Sequence, residues 1–309
     1  LADIDLVRIK FDPGALLLLN VVLALIMFTV ALEIRWSDFA RLAERPRAFI
    51  VALVSQYLLM PALALAVIWL LKPPPSVALG MILVAACPSG NLSNYLTHLA
   101  HGNTALSVGI TSLSTIAAIV VTPLMLGFWG AQSPGTAALM QSVAVDPWRM
   151  VLDVVLVIGV PLALGVMAGR RWPQWTARWG KRMQTTAFAV LLLFVVIGSA
   201  RNFDIYRAHL GTVFMIVLLG DALAFTLAYL LGRAARLPVA DRRALAFETG
   251  KRNTGLGLIL VFNFFGGLGG MALVAAWWGT WDIVVGTALA HWWRRRPPAA
   301  ANASEVQRA

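Results

Sequence analysis

The sequence predicts an all-α membrane protein of about nine transmembrane helices arranged as inverted repeats, and three observations carry that expectation. Of 309 residues, 60% are hydrophobic and 13% charged, against roughly 45–50% and about 25% in soluble domains, and mean hydropathy is +0.78. Nine runs approach the roughly 20 apolar residues that a hydrocarbon core of about 30 Å requires. Two of these runs are interrupted by proline, glycine and hydrogen-bonding residues, and the two interruptions match each other.

In chain order the runs cover residues 14–33, 48–71, 76–97, 104–128, 148–169, 184–200, 210–232, 244–265 and 271–293. What lies between them is short, so no soluble domain is expected. The first dozen residues mix both signs (Asp3, Asp5, Arg8, Lys10, Asp12), which does not read as a signal peptide. The cluster Gly266-Gly267-Leu268-Gly269-Gly270 predicts a tight turn or a hinge between the last two runs. Residues 294–309, rich in proline and alanine after Arg296, predict a disordered cytoplasmic tail. Of the 12 tryptophans, Trp36, Trp172, Trp175, Trp292 and Trp293 lie near run ends, as in an interfacial belt.

The net charge of +11 would suggest nucleic acid in a soluble domain, but its distribution excludes that reading. Seventeen of the 25 basic residues fall on alternate connectors: Arg35, Arg41, Arg45 and Arg47; Arg170, Arg171, Arg178, Lys181 and Arg182; Arg233, Arg236, Arg242 and Arg243; Arg294, Arg295, Arg296 and Arg308. Six fall on the other side (Arg8, Lys10, Lys72, Arg149, Arg201, Arg207). The positive-inside bias then predicts a cell-membrane protein with its N-terminus outside and its C-terminus in the cytoplasm. Lys251 and Arg252 fit neither side, because they lie within a run.

The third run reads Cys87-Pro88-Ser89-Gly90-Asn91-Leu92-Ser93-Asn94-Tyr95, and the eighth reads Glu248-Thr249-Gly250-Lys251-Arg252-Asn253-Thr254-Gly255. Such residues at membrane depth free backbone groups that must be buried in protein or line a wet cavity, so each run predicts a broken helix. They sit five spans apart, an odd offset, so similar units cross in opposite directions, as in secondary transporters whose discontinuous helices meet near the midplane. Two merely kinked structural helices are the alternative. After the first break, Ser107, Thr111, Ser114 and Thr115 share a helical face; they either join packed helices or supply oxygen to a hard cation. Glu248 stands three and four residues before Lys251 and Arg252. On a continuous helix these would pair, leaving either a structural salt bridge or a carboxylate that binds a cation beside a basic pair that attracts an anion. Asp221 and Asp282, also within runs, are candidate counter-charges.

These residues resemble the bile acid:sodium symporter family of organic-anion transporters. The likeness runs through Leu25-Ile26-Met27-Phe28 with Asp38-Phe39, Gln56-Tyr57-Leu58-Leu59-Met60-Pro61, Cys87 to Asn94, Gly102 to Ser107, Thr111 to Thr115 with Thr122-Pro123, and Glu248-Thr249-Gly250 with Asn253-Thr254-Gly255-Leu256. The resemblance implies an NhaA-like fold with two crossing discontinuous helices, in a nine-helix form or a ten-helix form lacking its first helix. It implies a core domain at about 76–128 and 210–293, and a panel domain at about 14–71 and 148–200. One sodium site would use Ser93, Asn94, Ser107, Thr111 and Glu248; a second would use Gln56 and Glu248, with no metal beyond sodium and no other cofactor. Substrate, a small organic anion or bile acid, would lie beside Asn91, Asn253 and Thr254. The sequence departs from the family where Glu-x-Gly-Met-Gln-Asn becomes Glu248-Thr249-Gly250-Lys251-Arg252-Asn253, and where His-Asn after Trp281 becomes Asp282-Ile283. A guanidinium repels sodium, so Lys251 and Arg252 are expected to substitute for the second sodium, with Arg252 paired to Glu248 or Asp282. Coupling is then to one sodium, to a proton or to nothing.

Other classes fit less well. An enzyme would need a nucleophile with its base or a metal cluster, and the sequence holds neither HExxH nor GxSxG. Its four histidines, at 98, 101, 209 and 291, fall at run ends. A channel would be poorly lined by Glu248 beside Arg252. A metalloid (arsenite) exporter would draw on Cys87, but a lone buried cysteine usually packs as a small hydrophobe.

Overall fold

The computed structural model describes residues 4–8, 13–35, 37, 42–143, 147–201 and 203–298. Among them the chain is helical, and the extended pairing is a single bridge between Arg8 and Leu268. Helix α1 is Pro13–Ala31, α2 is Pro46–Leu71, α3 is Pro75–Ala86, α4 is Asn91–Leu99, α5 is Thr104–Gly130 and α6 is Pro134–Ser142. Then come α7 at residues 147–171, α8 (Pro173–Arg201), α9 (Phe203–Ala234), α10 (Val239–Gly250), α11 (Thr254–Phe264) and α12 (Gly269–Arg294). Proline opens α2, α3 and α6, positions where the missing N–H would have no helical partner.

Four described helices are long and apolar enough to cross a bilayer: Pro46–Leu71, Thr104–Gly130, Val213–Ala234 and Gly269–Arg294. The pair α3–α4, bent by 67° at its break, makes a fifth. Large apolar side chains such as Leu58, Leu70, Phe128, Leu156 and Met215 are exposed, while Gln56, Ser93, Asp221, Glu248 and Asp282 are buried. Apolar outside and polar inside is the pattern that a hydrocarbon solvent selects, and this is a multi-pass membrane protein. The expected runs 14–33, 148–169, 184–200 and 244–265 are helical as well, over α1, α7, α8 and the α10–α11 pair.

Several elements differ from the sequence reading. Residues 134–142 form a helix in what was expected to be a plain connector, because Pro134 starts a turn whose Thr136 hydroxyl donates to the Gly130 carbonyl at 2.5 Å. Arg178, Lys181 and Arg182 lie on the first turns of α8, not in a loop. Arg243 is a buried residue of α10, whose guanidinium donates to the carbonyls of Ala100 at 2.6 Å and Arg296 at 2.5 Å. It thereby ties down the freed carbonyls at two helix ends. The start of the expected disordered tail is consequently held at Arg296, and residues 299–309 lie outside the described ones. Helix α2, grouped by the sequence with the panel, makes its main contacts with α3, α9 and α10, whereas α1 packs along α7 and α8.

Both α2 and α7 contain a five-residue π turn, Ser55–Leu59 and Val155–Gly159, just before Pro61 and Pro161. Proline cannot donate the i→i−4 bond and its ring crowds that carbonyl; the wider turn relieves both, and in α2 it carries Gln56 into the interior. Helix α3 is buried from Ser76 to Ala86 and lies against α5 and α12. At Gly80 a Cβ would sit 2.9 Å from the Cα of Met271 and 3.1 Å from the Cβ of Val274. Gly80→Val should therefore force α3 off α12, an overpacking cost of about 1–3 kcal/mol. A lowered unfolding temperature of the detergent-purified protein checks this, and an unchanged one contradicts the close approach.

Candidate functional site

The two breaks lie against each other and satisfy each other's backbone. Helix α3 stops because Cys87 turns extended (φ −70, ψ 150) before Pro88, and α10 stops where Lys251 does the same (φ −78, ψ 117). The carbonyl of Ala86 accepts from the Thr122 hydroxyl at 3.0 Å, that of Cys87 from Arg252 Nη1 at 2.9 Å, and that of Pro88 from the Asn253 amide at 2.8 Å. The Gly90 carbonyl accepts from both the amide and the hydroxyl of Ser93 at 2.8 Å. On the other side, the Arg252 amide donates to Asp282 Oδ2 at 3.2 Å, and the Arg252 carbonyl accepts from Lys251 Nζ at 3.2 Å. Irregular backbone at this depth is tolerable only with such partners.

Glu248, on the last turn of α10, is 0% exposed. Its carboxylate accepts from Ser89 Oγ at 2.5 Å, Ser93 Oγ at 2.5 Å, Ser107 Oγ at 2.6 Å, and Thr111 Oγ1 at 2.9 and 3.0 Å. Asn94 Oδ1 is 2.8 Å from the Ser107 hydroxyl and 3.1 Å from that of Thr111. Each hydroxyl has one proton. Ser107 meets two acceptor oxygens and Thr111 three, so in each case at least one contact brings oxygen to oxygen without the hydroxyl proton between. Oxygens gathered around one carboxylate are the donor type that hard cations take. Ser93, Asn94, Ser107, Thr111 and Glu248 thus come together as the sequence expects. Ser89 joins them unanticipated, although it stands in the quoted break motif. Serine at that position faces Glu248 only because the α3 break turns it inward.

Gln56 does not join this cluster. It is 0% exposed, and neither atom of its amide has a hydrogen-bond partner. Two expected pairings also change. Glu248 makes no ion pair with Lys251 or Arg252, because the helix ends at Gly250 and the i+3 and i+4 geometry ends with it. Lys251 instead meets Asp282 Oδ2 at 2.9 Å. Arg252, 1% exposed, has its side chain on neither Glu248 nor Asp282; it spans the break to the Cys87 carbonyl, and its Nε and Nη2 have no partner. Asp282 is therefore a counter-charge to Lys251, while Asp221 is buried with both oxygens unpartnered.

Beside the Glu248 cluster lies a cavity of about 150 Å³ lined by Val30 of α1, Glu33 and Ile34 just after it, Asn91 and Asn94 of α4, and Val108, Thr111, Ser112 and Thr115 of α5. Asn91 Nδ2 donates across it to Glu33 Oε2 at 3.2 Å. Thr111 and Asn94 belong to both the cavity wall and the oxygen cluster, so a solute in the cavity would touch that cluster directly. Asn253 and Thr254 are not among the lining residues; Asn253 Oδ1 instead caps α11 through the Leu256 amide at 3.1 Å. Glu33, absent from the sequence expectation, carried no signal beyond being an acidic residue at a run end.

Two interrupted helices meeting at a buried carboxylate, with a cavity alongside, fit a membrane transporter of the secondary kind. The sequence profile of the Sodium Bile acid symporter family matches residues 20–207, and the chain belongs to that family. Among its relatives, an uncharacterized sodium-dependent transporter of Bacillus subtilis is 27% identical over 279 residues, covering 90% of this chain and 83% of the relative. A rice chloroplast protein described as a "Probable sodium/metabolite cotransporter" is 31% identical over 284 residues, covering 90% of this chain and 64% of its own length. The human ileal sodium/bile acid cotransporter is 26% identical over 238 residues, covering 77% of this chain and 67% of the relative.

The Lys251–Asp282 pair yields a stability test. Removing one partner of a buried ion pair leaves an uncompensated charge and costs about 3–5 kcal/mol, whereas replacing both is often close to neutral. Lys251→Met should sharply lower the unfolding temperature, and adding Asp282→Asn should recover most of the loss. Additive losses in the double variant would show that the pair is not coupled.

Proposed function

We propose that this protein is a sodium-coupled carrier of a small organic anion that works by alternating access with one sodium per cycle. The observation that carries the reading is the oxygen cluster of Ser89, Ser93, Asn94, Ser107 and Thr111 around the Glu248 carboxylate. In this reading the chain has nine spans in an NhaA-like inverted-repeat arrangement, with the N-terminus outside, the C-terminus in the cytoplasm and the bacterial inner membrane as its location. The moving units are a core holding both breaks and a panel containing α1, α7 and α8; the contacts of α2 support moving residues 46–71 from panel to core. The anion would occupy the cavity beside Asn91, with its charge toward the N-terminal end of α4, where helix amides favour a carboxylate. Asn253 and Thr254 would reach it in another state of the cycle.

Arg252 stands in for the second sodium. Its guanidinium delivers a fixed positive charge to the carbonyl of Cys87 at the first break, where a mobile cation would otherwise have to bring one, and it leaves Gln56 without a cation to hold. Sodium bound at Glu248 and shared through Asn94 and Thr111 would tie anion binding to ion binding, because the same side chains serve both.

Uptake into proteoliposomes measured against sodium concentration should give a Hill coefficient near one, and a value near two would defeat the single-sodium reading. Pyruvate and pantoate, as small-carboxylate probes in a thermal-shift screen with and without sodium, identify the transported class. Glu248→Gln should abolish the sodium-dependent shift of the unfolding temperature. Arg252→Gln should raise the order of the sodium dependence; retained transport with unchanged order counts against Arg252 as a built-in cation.

A further inference from the structure

The site engages Glu248, Arg252 and the Lys251–Asp282 pair but gives no task to Asp221. This carboxyl lies within the apolar stretch Val213–Ala234 of α9, is 0% exposed, and has no hydrogen-bond partner on either oxygen among the described residues. Between His209 and Arg233 its helix carries no other charged residue. The charges close enough to act on it are Asp282 of α12, which repels a second negative charge, and Lys251 at the second break. Lys251 is already held by Asp282 at 2.9 Å.

The other helices packed on α9 bring no relief. Helix α2 has no charged residue between Arg47 and Lys72, and α8 has none between Arg182 and Arg201. On α10, Glu248 is turned into its hydroxyl cluster, Asp241 meets Arg45 and Asn103, and Arg242 and Arg243 bind carbonyls. An ionised carboxylate with neither a hydrogen bond nor a free counter-ion is the costliest thing that can be placed at this depth. The neutral acid avoids that cost.

We propose that Asp221 is a proton-binding site of this carrier, holding its proton while Lys251 is paired with Asp282 and releasing it when Lys251 turns to it. The step is simple to balance: the carboxyl O–H bond breaks, the proton leaves to water, and the ammonium of Lys251 neutralises the carboxylate left behind. Because Lys251 sits in the break between α10 and α11, a movement of that break can redirect its ammonium from Asp282 to Asp221. The proposal rests on the organic-anion reading for its consequence. Three buried carboxylates and a bound anion face two basic groups, leaving two negative charges; one sodium at Glu248 and one proton at Asp221 cancel both. The proton then supplies the second cation that Arg252 excludes as sodium.

Infrared difference spectroscopy of the full-length protein in nanodiscs tests this without sodium or substrate, so its outcome is independent of whether the sodium reading stands. At neutral pH the wild-type protein should show the carbonyl stretch of one protonated carboxylic acid. Asp221→Asn should lose that band, Glu248→Gln should keep it, and Asp221→Glu, which retains the acid if the asparagine variant fails to fold, should return it at a shifted frequency. Absence of the band from the wild type, or its persistence unshifted in Asp221→Asn or Asp221→Glu, overturns the proposal.

Discussion

Everything in the site depends on one constraint: a helix interrupted inside a membrane must satisfy the backbone groups it frees from within the protein. The break at residues 87–90 leaves carbonyls at Ala86, Cys87, Pro88 and Gly90, and the bonds to them come from Thr122, Arg252, Asn253 and Ser93. Two of those donors belong to the other break. Neither interruption could therefore stand alone, and the helices that bracket them are fixed relative to each other. Once that junction exists, Glu248 on the last turn before one break, Ser89 within the other and Ser93 on the first turn after it are brought within hydrogen-bond distance, and α5 needs only its Ser107 and Thr111 face to close the cluster.

The buried charges follow from the same junction. A helix that ran on through Lys251 would set its ammonium beside Glu248, quench the carboxylate and leave a structural salt bridge. Because the chain turns extended at Lys251, the ammonium goes to Asp282 and Glu248 is left to the hydroxyl cluster. The break thus separates two electrostatic centres that the sequence places next to each other. Helix α1 and the residues that follow it meet α11 and α4 through two polar contacts, Asn263 with Asn20 at 2.9 Å and Asn91 with Glu33 at 3.2 Å, while the apolar length of α1 packs on α7 and α8. Individual hydrogen bonds of this kind contribute little net stability, so these links are cheap to break in a conformational change, whereas the carbonyl contacts inside the junction are not.

Much of the site was legible in the sequence because membrane depth makes polar residues expensive and hence informative. Ser93, Asn94, Ser107, Thr111 and Glu248 could be selected on that ground, aided by their likeness to the family. The errors have equally physical causes. Helical i+3 and i+4 spacing pairs Glu248 with Lys251 only if the helix continues. Arg243 looks like a loop charge because burial beside helix-end carbonyls leaves no mark on composition. Residues 46–71 have no feature that says which neighbours they pack on, since an apolar helix is compatible with any partner in lipid.

By itself the sequence determined the solvent and the chemistry: an apolar chain with its basic residues gathered on alternate connectors, two matched interruptions, and a carboxylate with hydroxyls at helical spacing. It could do so because hydropathy, charge bias and backbone satisfaction are local properties, readable residue by residue. The tertiary structure alone decided which charge meets which, that Arg252 binds a carbonyl rather than an acid, that Glu33 faces Asn91 across the cavity, and that Asp221 is left unpartnered. Those outcomes depend on the direction a chain takes after a helix stops, and that direction is set by packing among segments far apart in sequence.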